Sequence, residues 1–186
     1  FFEFFIKKIH LMKKFILLLS FCFLASLSSI QAQTINTDKS EVEFHITGGG
    51  IFKVKGSFSG MAGDFSFNSN DLENSSFDIC IDAATVNTKN KKRDAHLRDP
   101  DFFDVEQYPT RCFKSSAVTK ADTGYTTTGD LTIHGVTKAV TIPFIFKNNT
   151  FIGEIVVNRF DYDLGKDYGT VRVGTEATIT IICVVN

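Results

Sequence analysis

Arginine, histidine and aspartate residues are concentrated in one segment of the chain, Arg93–Phe113, which reads RDAHLRDPDFFDVEQYPTRCF. Its first part suits a helix over 89–97, in which Lys89, Arg93 and His96 share a face at i, i+4 and i+7 spacing. Guanidinium and imidazolium groups that lie together can bind a phosphate or a carboxylate. Arg93 and His96 are therefore candidates for contacting the anionic head group of a ligand.

The same segment allows two other interpretations. The first is structural: Arg93 and Arg98 can hold the segment in place by pairing with its own acidic residues, which are Asp94, Asp99 and Asp101. The second is catalytic, with His96 and a nearby aspartate serving as acid and base. The residue types and their spacing leave all three interpretations open.

Known catalytic motifs are missing from the sequence. It contains no G-x-S-x-G, H-E-x-x-H or C-x-x-C pattern and no glycine-rich phosphate loop followed by a helix. His45, His96 and His134 are isolated in the sequence and lack the spacing of metal ligands. We therefore expect a protein that is not an enzyme, with no catalytic residues, no metal ion and no cofactor.

The charged segment interrupts a chain that otherwise has the pattern of β-strands. Apolar and polar residues alternate, as in half-buried strands. Long connections are predicted at 88–108 and 158–174, and the remaining links are short, which favours an antiparallel meander. The predicted strands cover residues 41–46, 52–58, 65–67, 77–88, 113–120, 125–133, 140–147, 151–157 and 178–185.

A meander of this kind has one apolar face, which it must bury against itself or against another layer. Closing the sheet into a barrel removes its edges, and a barrel of about eight strands encloses room for one small ligand. Two sheets packed face to face would satisfy the same pattern. The alternation of residues does not separate these two architectures.

Large apolar side chains occupy the inward positions of these strands, and residues 33–186 contain 13 phenylalanines and no tryptophan. A tunnel lined in this way suits a long hydrocarbon chain, although the same side chains could instead fill a solid core. The predicted tunnel residues are Phe44, Phe58, Phe65, Phe77, Ile79, Ile81, Phe103, Phe113, Leu131, Ile133, Ile142, Phe144 and Phe146.

Three of the four cysteines follow residue 32: Cys80, Cys112 and Cys183. Cys80 alternates in phase with the aspartates beside it, and Cys112 alternates in phase with Lys114, so both should face outward. If their strands are neighbours that flank the charged segment, Cys80 and Cys112 can form a disulfide, while Cys183 is a buried free thiol. Three free thiols are the alternative.

The first 32 residues have the features of a targeting segment. Met12-Lys13-Lys14 opens a basic region, Phe15–Leu24 is apolar, and small residues lead to Ala32, which is the order of a secretory signal peptide. Residues 1–11 are interpreted as an upstream extension. We expect cleavage after Ala32 and a periplasmic or secreted protein; a retained membrane anchor is the alternative.

Residues 33–186 form the predicted mature protein, and their number suits one domain. They carry 16 basic and 20 acidic residues, a formal charge of −4. Because this leaves no basic surplus, we do not expect nucleic acid as a partner. The mature chain also has no second apolar segment long enough to cross a membrane.

Two motifs in order along the chain resemble a known family. RDxHLRxxDFFDVxxYPxxxF, at Arg93–Phe113, and GDLTIHGVTKAVTIPF, at Gly129–Phe144, are similar to the YceI-like, polyisoprenoid-binding family of secreted lipid-binding barrels. The resemblance covers nearly all of 33–186. It implies an all-β protein: an antiparallel, lipocalin-like barrel of eight or slightly more strands with a short helical insert.

The resemblance also implies a function. The barrel would sequester or carry a long-chain amphiphilic lipid, such as a polyisoprenoid or an isoprenoid quinone, with the tail among the inward side chains and the head near the charged segment. Two alternatives remain at this point. One is a lipid-modifying enzyme that uses the same pocket, and the other is an exported interaction module with a solid core.

Overall fold

A computed structural model describes residues 33–186. The predicted upstream extension, signal peptide and cleavage after Ala32 lie outside these residues. Within the described part of the chain, no helix has the length and apolar character needed to span a membrane.

Nine antiparallel strands form one sheet in residues 33–186, in the order β2-β1-β9-β8-β7-β6-β5-β4-β3. The sheet curls around the core as a half-barrel, which confirms the predicted all-β, lipocalin-like fold with slightly more than eight strands. The strands are β1 Glu41–Gly48, β2 Phe52–Phe58, β3 Ala62–Ser66, β4 Ser76–Asp82, β5 Thr110–Lys120, β6 Tyr125–Ile133, β7 Val136–Lys147, β8 Thr150–Asn158 and β9 Val173–Val184.

The edge strand β2 is covered by the segment that follows β4. Ser57 and Asn87 form an isolated antiparallel bridge, and the Ser59 amide donates to Oγ1 of Thr85 at 2.9 Å. The prediction that the fourth strand continues to Thr88 is therefore wrong. The strand ends at Asp82, whose carboxylate accepts the Ala84 amide at 2.8 Å and so begins a short 3₁₀ turn.

The charged segment contains the predicted short helix, α1, which spans Lys91–Arg98 instead of 89–97. Asn90 sets its first turn, because its side chain accepts the Arg93 amide at 3.1 Å. Lys89, with a φ of 61°, is in the left-handed region and cannot belong to the helix. The helix therefore begins two residues later and ends one residue later than predicted.

The inward rows of side chains agree with the alternation in the sequence. Val42 pairs with Phe58, and Phe44 pairs with Gly56, so that side chains of one parity share the concave face. Gly56 has a specific role in this row. A Cβ atom at residue 56 would lie 2.5 Å from the Phe44 ring, so the absence of a side chain lets this ring lie across the strand.

Aromatic side chains fill one end of the curled sheet. The ring of Phe67 lies at the centre of this group, at centroid distances of 5.1 to 6.4 Å from five other rings. These rings meet mostly edge to face, which is a favoured arrangement of aromatic pairs. The group, called the Phe67 cluster below, comprises Phe65, Phe67, Phe77, Tyr125, Phe144, Phe146 and Phe151.

The two long connections, residues 83–109 and 159–172, cover the opposite end, toward which β4, β6 and β8 all run. They contact each other, since the Gly165 amide donates to the Asp101 carbonyl at 2.9 Å. The Phe102 ring lies against Gly165, where a Cβ would be 2.6 Å from it, and Gly165 has a φ of 56°. Both the close contact and the backbone angle favour glycine here.

Candidate ligand-binding cavity

A cavity of about 250 Å³ lies inside the curled sheet, between the Phe67 cluster and the two covering connections. Its walls come from the concave faces of β1, β2 and β4–β9 and from the two covering connections, and they are almost entirely apolar. The fold therefore does not fill its core, and it leaves a space suited to an apolar molecule.

The predicted tunnel residues line this cavity with two exceptions. Phe65 and Phe146 face inward, as predicted, but they pack in the Phe67 cluster, where Phe65 meets Phe151 at 5.7 Å and Phe146 meets Phe151 at 4.4 Å. The alternation gave the face on which they lie but not their position along the barrel axis, so their inclusion in the tunnel is wrong. The lining residues from the prediction are Phe44, Phe58, Phe77, Ile79, Ile81, Phe103, Phe113, Leu131, Ile133, Ile142 and Phe144.

Several lining residues were not predicted. In β8 and β9 they include Ile155, Val157, Ile179 and Ile181. The period-two alternation of these strands in the sequence already indicated that these side chains face inward. Met61 and Leu164 lie in turns and connections, where no periodic pattern exists to show that they are buried.

Three polar side chains take part in the lining: Thr127, Arg159 and Arg111. Thr127 donates its hydroxyl to the Ala117 carbonyl at 3.1 Å. Arg159 is 4% exposed, and burial lowers its pKa. Its guanidinium is nevertheless satisfied by five backbone carbonyls, those of Leu164, Gly165, Tyr168, Val173 and Gly174. Arg159 therefore holds the 159–172 connection in place.

Arg111 differs from Arg159 because none of its three guanidinium nitrogens has a hydrogen-bond partner in residues 33–186. The side chain is 9% exposed, and its guanidinium carbon lies 4.1 Å from the Phe103 ring centre and 4.7 Å from that of Phe58. Burial lowers the pKa of Arg111 to about 10, against the opposing effect of Asp82. The group is thus still charged at neutral pH.

Sequence reasoning overlooked Arg111, although the signal was present. Phe113 was placed inward and Cys112 outward, and the same alternation places Arg111 inward, two residues before Phe113 on β5. Its neighbour on β4 is Ile81, which also lines the cavity.

The head-group candidates Arg93 and His96 do not line the cavity. Arg93 donates from Nε to the Thr88 hydroxyl at 2.7 Å and from a terminal nitrogen to the Thr88 carbonyl at 3.0 Å. Arg98 donates to the carbonyls of Ala84 at 2.7 Å and Val86 at 2.8 Å. Both arginines thus bind the loop before the helix, mainly through its backbone and not through the acidic residues that the sequence suggested.

Asp94 completes this network, because its carboxylate accepts both the amide and the hydroxyl of Thr88, at 2.8 and 2.5 Å. Burial by itself would raise the pKa of Asp94. The two hydrogen bonds from Thr88, together with the positive charges of Arg98 and Arg93, outweigh it and lower this pKa below the usual value.

His96 joins the two covering connections. Its Nε2 lies 2.8 Å from the Tyr168 hydroxyl, which also donates to Oδ2 of Asp101 at 3.0 Å. The His96 and Asp101 side chains are 42% and 57% exposed. A histidine beside an aspartate is the pair that the catalytic interpretation requires, but here both bind a tyrosine at the surface and stand apart from the cavity walls.

Cys80 and Cys112 are opposite each other in the β4–β5 register, and their sulfur atoms are bonded at 2.06 Å. The bond closes a loop of sequence separation 32 that contains the helix α1 and nearly all of the charged segment. Cys183 is a buried free thiol, and burial raises its pKa to about 11 although a hydrogen bond with Ser40 opposes the shift. In residues 33–186, no cluster of three or more histidine, cysteine or acidic residues could hold a metal ion.

Comparison with known proteins agrees with this architecture. The model of the YceI-like domain matches residues 33–185. A UPF0312 protein of Vibrio parahaemolyticus is 32% identical over 136 residues, which cover 67% of this chain and 72% of that protein. The crystal structure of Burkholderia cenocepacia BcnA has a TM-score of 0.75 at 27% identity, covering 82% of this chain and 99% of its own.

A polyisoprenoid binding domain from Saccharophagus degradans, implicated in plant cell wall breakdown, has a TM-score of 0.64 and 15% identity, and covers 83% of this chain and 98% of its own. At this identity the likeness concerns the fold alone.

Proposed function

The chain belongs to the YceI-like family, and we propose that it binds one molecule of an amphiphilic lipid and carries it after export from the cytoplasm. The lipid's hydrocarbon tail occupies the cavity inside the curled sheet. The observation that supports this proposal is the cavity itself, an apolar space of about 250 Å³ enclosed by strands whose inward side chains could instead have met and filled it.

The size of the cavity sets the length of tail that it can bury. An apolar cavity of about 150 Å³ holds one benzene molecule, so this cavity of about 250 Å³ has room for on the order of 10 carbon atoms. Ten buried methylenes would contribute roughly 8 kcal/mol before the cost of ordering the chain, which is enough for useful affinity.

A polyisoprenoid or an isoprenoid quinone is a suitable ligand of this kind. The fold shared with the polyisoprenoid binding domain of S. degradans supports this choice. Export is supported by the signal-peptide pattern in residues 1–32 and by a disulfide, which persists in oxidising compartments. N-terminal sequencing of the exported protein should find Gln33 at or near its start; a retained Phe15–Leu24 segment would instead indicate an anchored protein.

The test of tail binding uses native mass spectrometry of protein purified from its own host, followed by lipid extraction. The wild type should carry lipid. Phe113→Asp should lose it, because an unpaired carboxylate would then face the apolar cavity. Ile145→Asp is the matched control, since Ile145 is 46% exposed on the outer face and its substitution should leave the lipid bound.

Circular dichroism must show that both variants are folded before their lipid content is compared. If the folded wild type retains no lipid from any host extract, the carrier proposal is wrong. Turnover of a bound lipid that His96→Ala abolishes would favour the alternative of a lipid-modifying enzyme. An interaction module with a solid core is the weaker alternative, because the core contains a cavity.

A further inference from the structure

Arg111 is a buried cation at the wall of an apolar cavity, and residues 33–186 provide no hydrogen-bond acceptor for it. Buried polar groups are normally paired, and a buried charge without a partner is strongly disfavoured. The rings of Phe58 and Phe103 interact with the positive charge, but such contacts do not use the five N–H donors of the guanidinium.

Arg159 shows how the same fold treats an arginine that has a structural role. Its guanidinium lines the same cavity and donates to five backbone carbonyls, so that no donor nitrogen is left over. Asp82 follows Ile81, the β4 partner of Arg111. It forms no ion pair within 4.0 Å in the described residues. Asp82 instead accepts the Ala84 amide. The donors of Arg111 thus remain available to a ligand.

We infer that Arg111 binds the carboxylate of a single-chain amphiphile whose tail fills the cavity. This inference rests on the proposed lipid binding and specifies the chemical class of the ligand. A carboxylate matches the planar fork of a guanidinium with two parallel hydrogen bonds. It is also a more compact anionic head group than a phosphate, and the guanidinium carbon that it must reach lies within 5 Å of the Phe58 and Phe103 ring centres.

The position of Arg111 also gives the ligand a direction. Arg111 is the second residue of β5, at the end of the sheet that the charged segment covers, whereas the Phe67 cluster fills the other end. A carboxylate bound to Arg111 therefore lies beneath Phe103, and the tail extends toward the aromatic rings. The head group is held inside the cavity, not at Arg93 and His96 on its outside.

The test compares decanoic acid with decan-1-ol, which has the same tail and no charge, by isothermal titration calorimetry at pH 8 from a cyclodextrin carrier. Charge-assisted hydrogen bonds should make the wild type bind the acid about 10- to 150-fold more tightly than the alcohol. Arg111→Met should reduce this ratio to within about twofold, chiefly by weakening the binding of the acid. Arg172→Met, which removes an exposed arginine, should behave as the wild type.

The wild-type comparison decides the question even if Arg111→Met does not fold, and Arg111→Lys, which keeps the charge but not the fork, should give an intermediate ratio. Equal affinities of the wild type for acid and alcohol would overturn the inference and leave lipid binding intact. Tighter binding of decyl phosphate than of the acid would overturn the choice of carboxylate. Binding of neither acid nor alcohol would overturn both this inference and the proposed function.

Discussion

Reducing the Cys80–Cys112 disulfide should destabilise the folded domain substantially. The bond joins neighbouring positions on β4 and β5, so its loss leaves the strand pairing intact and acts mainly on the unfolded chain. With a sequence separation of 32, the chain-entropy model gives about 3.7 kcal/mol at 25 °C. Because measured values are often smaller, we expect the free energy of unfolding to fall by about 2–4 kcal/mol.

Urea unfolding with and without a phosphine reductant measures this difference. For a urea m-value of about 2 kcal/mol/M, the midpoint should fall by about 1–2 M on reduction. A variant with Cys80→Ala and Cys112→Ala should unfold near the reduced midpoint and should not respond to the reductant. Thiol labelling of the unreduced, urea-unfolded domain starting at Gln33 should detect Cys183 alone.

Two results would refute this reasoning. Labelling of three thiols in the unreduced domain would mean that the bridge does not form in solution. A midpoint that reductant does not change, in a protein whose labelling proves the bridge, would mean that the unfolded chain gains no freedom when the loop opens. In that case, the residual structure of the unfolded state would have to hold the two strands together.

Three other predictions concern the insert, the cover and the cavity. Asp94→Ala should lower the free energy of unfolding by about 1–3 kcal/mol at pH 7, because the Thr88 amide and hydroxyl lose their acceptor. Since the pKa of Asp94 is lowered in the folded state, its contribution is complete above about pH 4 and disappears as the pH falls through the folded pKa. The urea midpoints of this variant and the wild type should therefore converge in acid, while the exposed Asp122→Ala should have little effect at any pH. Gly165→Ala should lower the free energy of unfolding by at least about 1–2 kcal/mol, because residue 165 has a positive φ and the added Cβ would meet the Phe102 ring. Gly169→Ala, with no atom within 4 Å of the added Cβ, should leave the melting temperature nearly unchanged. Equal losses of stability in the two variants would refute the contact. In a series of carboxylic acids, the dissociation constant should fall by up to about fourfold per added methylene until the cavity is full. Ala177→Phe, which places a ring in the cavity, should move that limit to chains about six carbons shorter, whereas the outward-facing Ala139→Phe should not move it. Identical limits in the two variants would mean that the tail lies elsewhere.

The strand pattern could be predicted because period-two alternation reports which face of a strand is buried. It placed Val42, Phe44 and Phe58 on one face, and the register confirms this. The choice of a barrel over two packed sheets came from the family resemblance. Alternation gives the face but not the depth along the barrel axis, which explains why Phe65 and Phe146 were assigned to the tunnel although they pack in the Phe67 cluster.

The remaining differences have local causes. The predicted fourth strand runs past Asp82 because nothing in the apolar pattern indicates a 3₁₀ turn. The turn begins where the Asp82 carboxylate accepts the Ala84 amide, and this side-chain-to-backbone contact leaves no trace in the alternation of apolar residues. Helical spacing predicted one shared site for Arg93 and His96, whereas Arg93 contacts Thr88 and His96 contacts Tyr168. Spacing cannot identify partners from other parts of the chain, and the Tyr168 hydroxyl that contacts His96 comes from 72 residues further on.

The disulfide, the cation and part of the cover belong to one loop of the chain. Cys112 is bonded to Cys80 of β4, and the residue before it, Arg111, lines the cavity from the same strand. Phe103, which lies over the guanidinium, comes from the segment that this disulfide closes. A covalent bond next to Arg111 limits the movement of a guanidinium that has no hydrogen bond within residues 33–186 to fix it. The position of the guanidinium is therefore set by the strand that carries it and by two aromatic rings, which leaves its N–H donors free for a ligand.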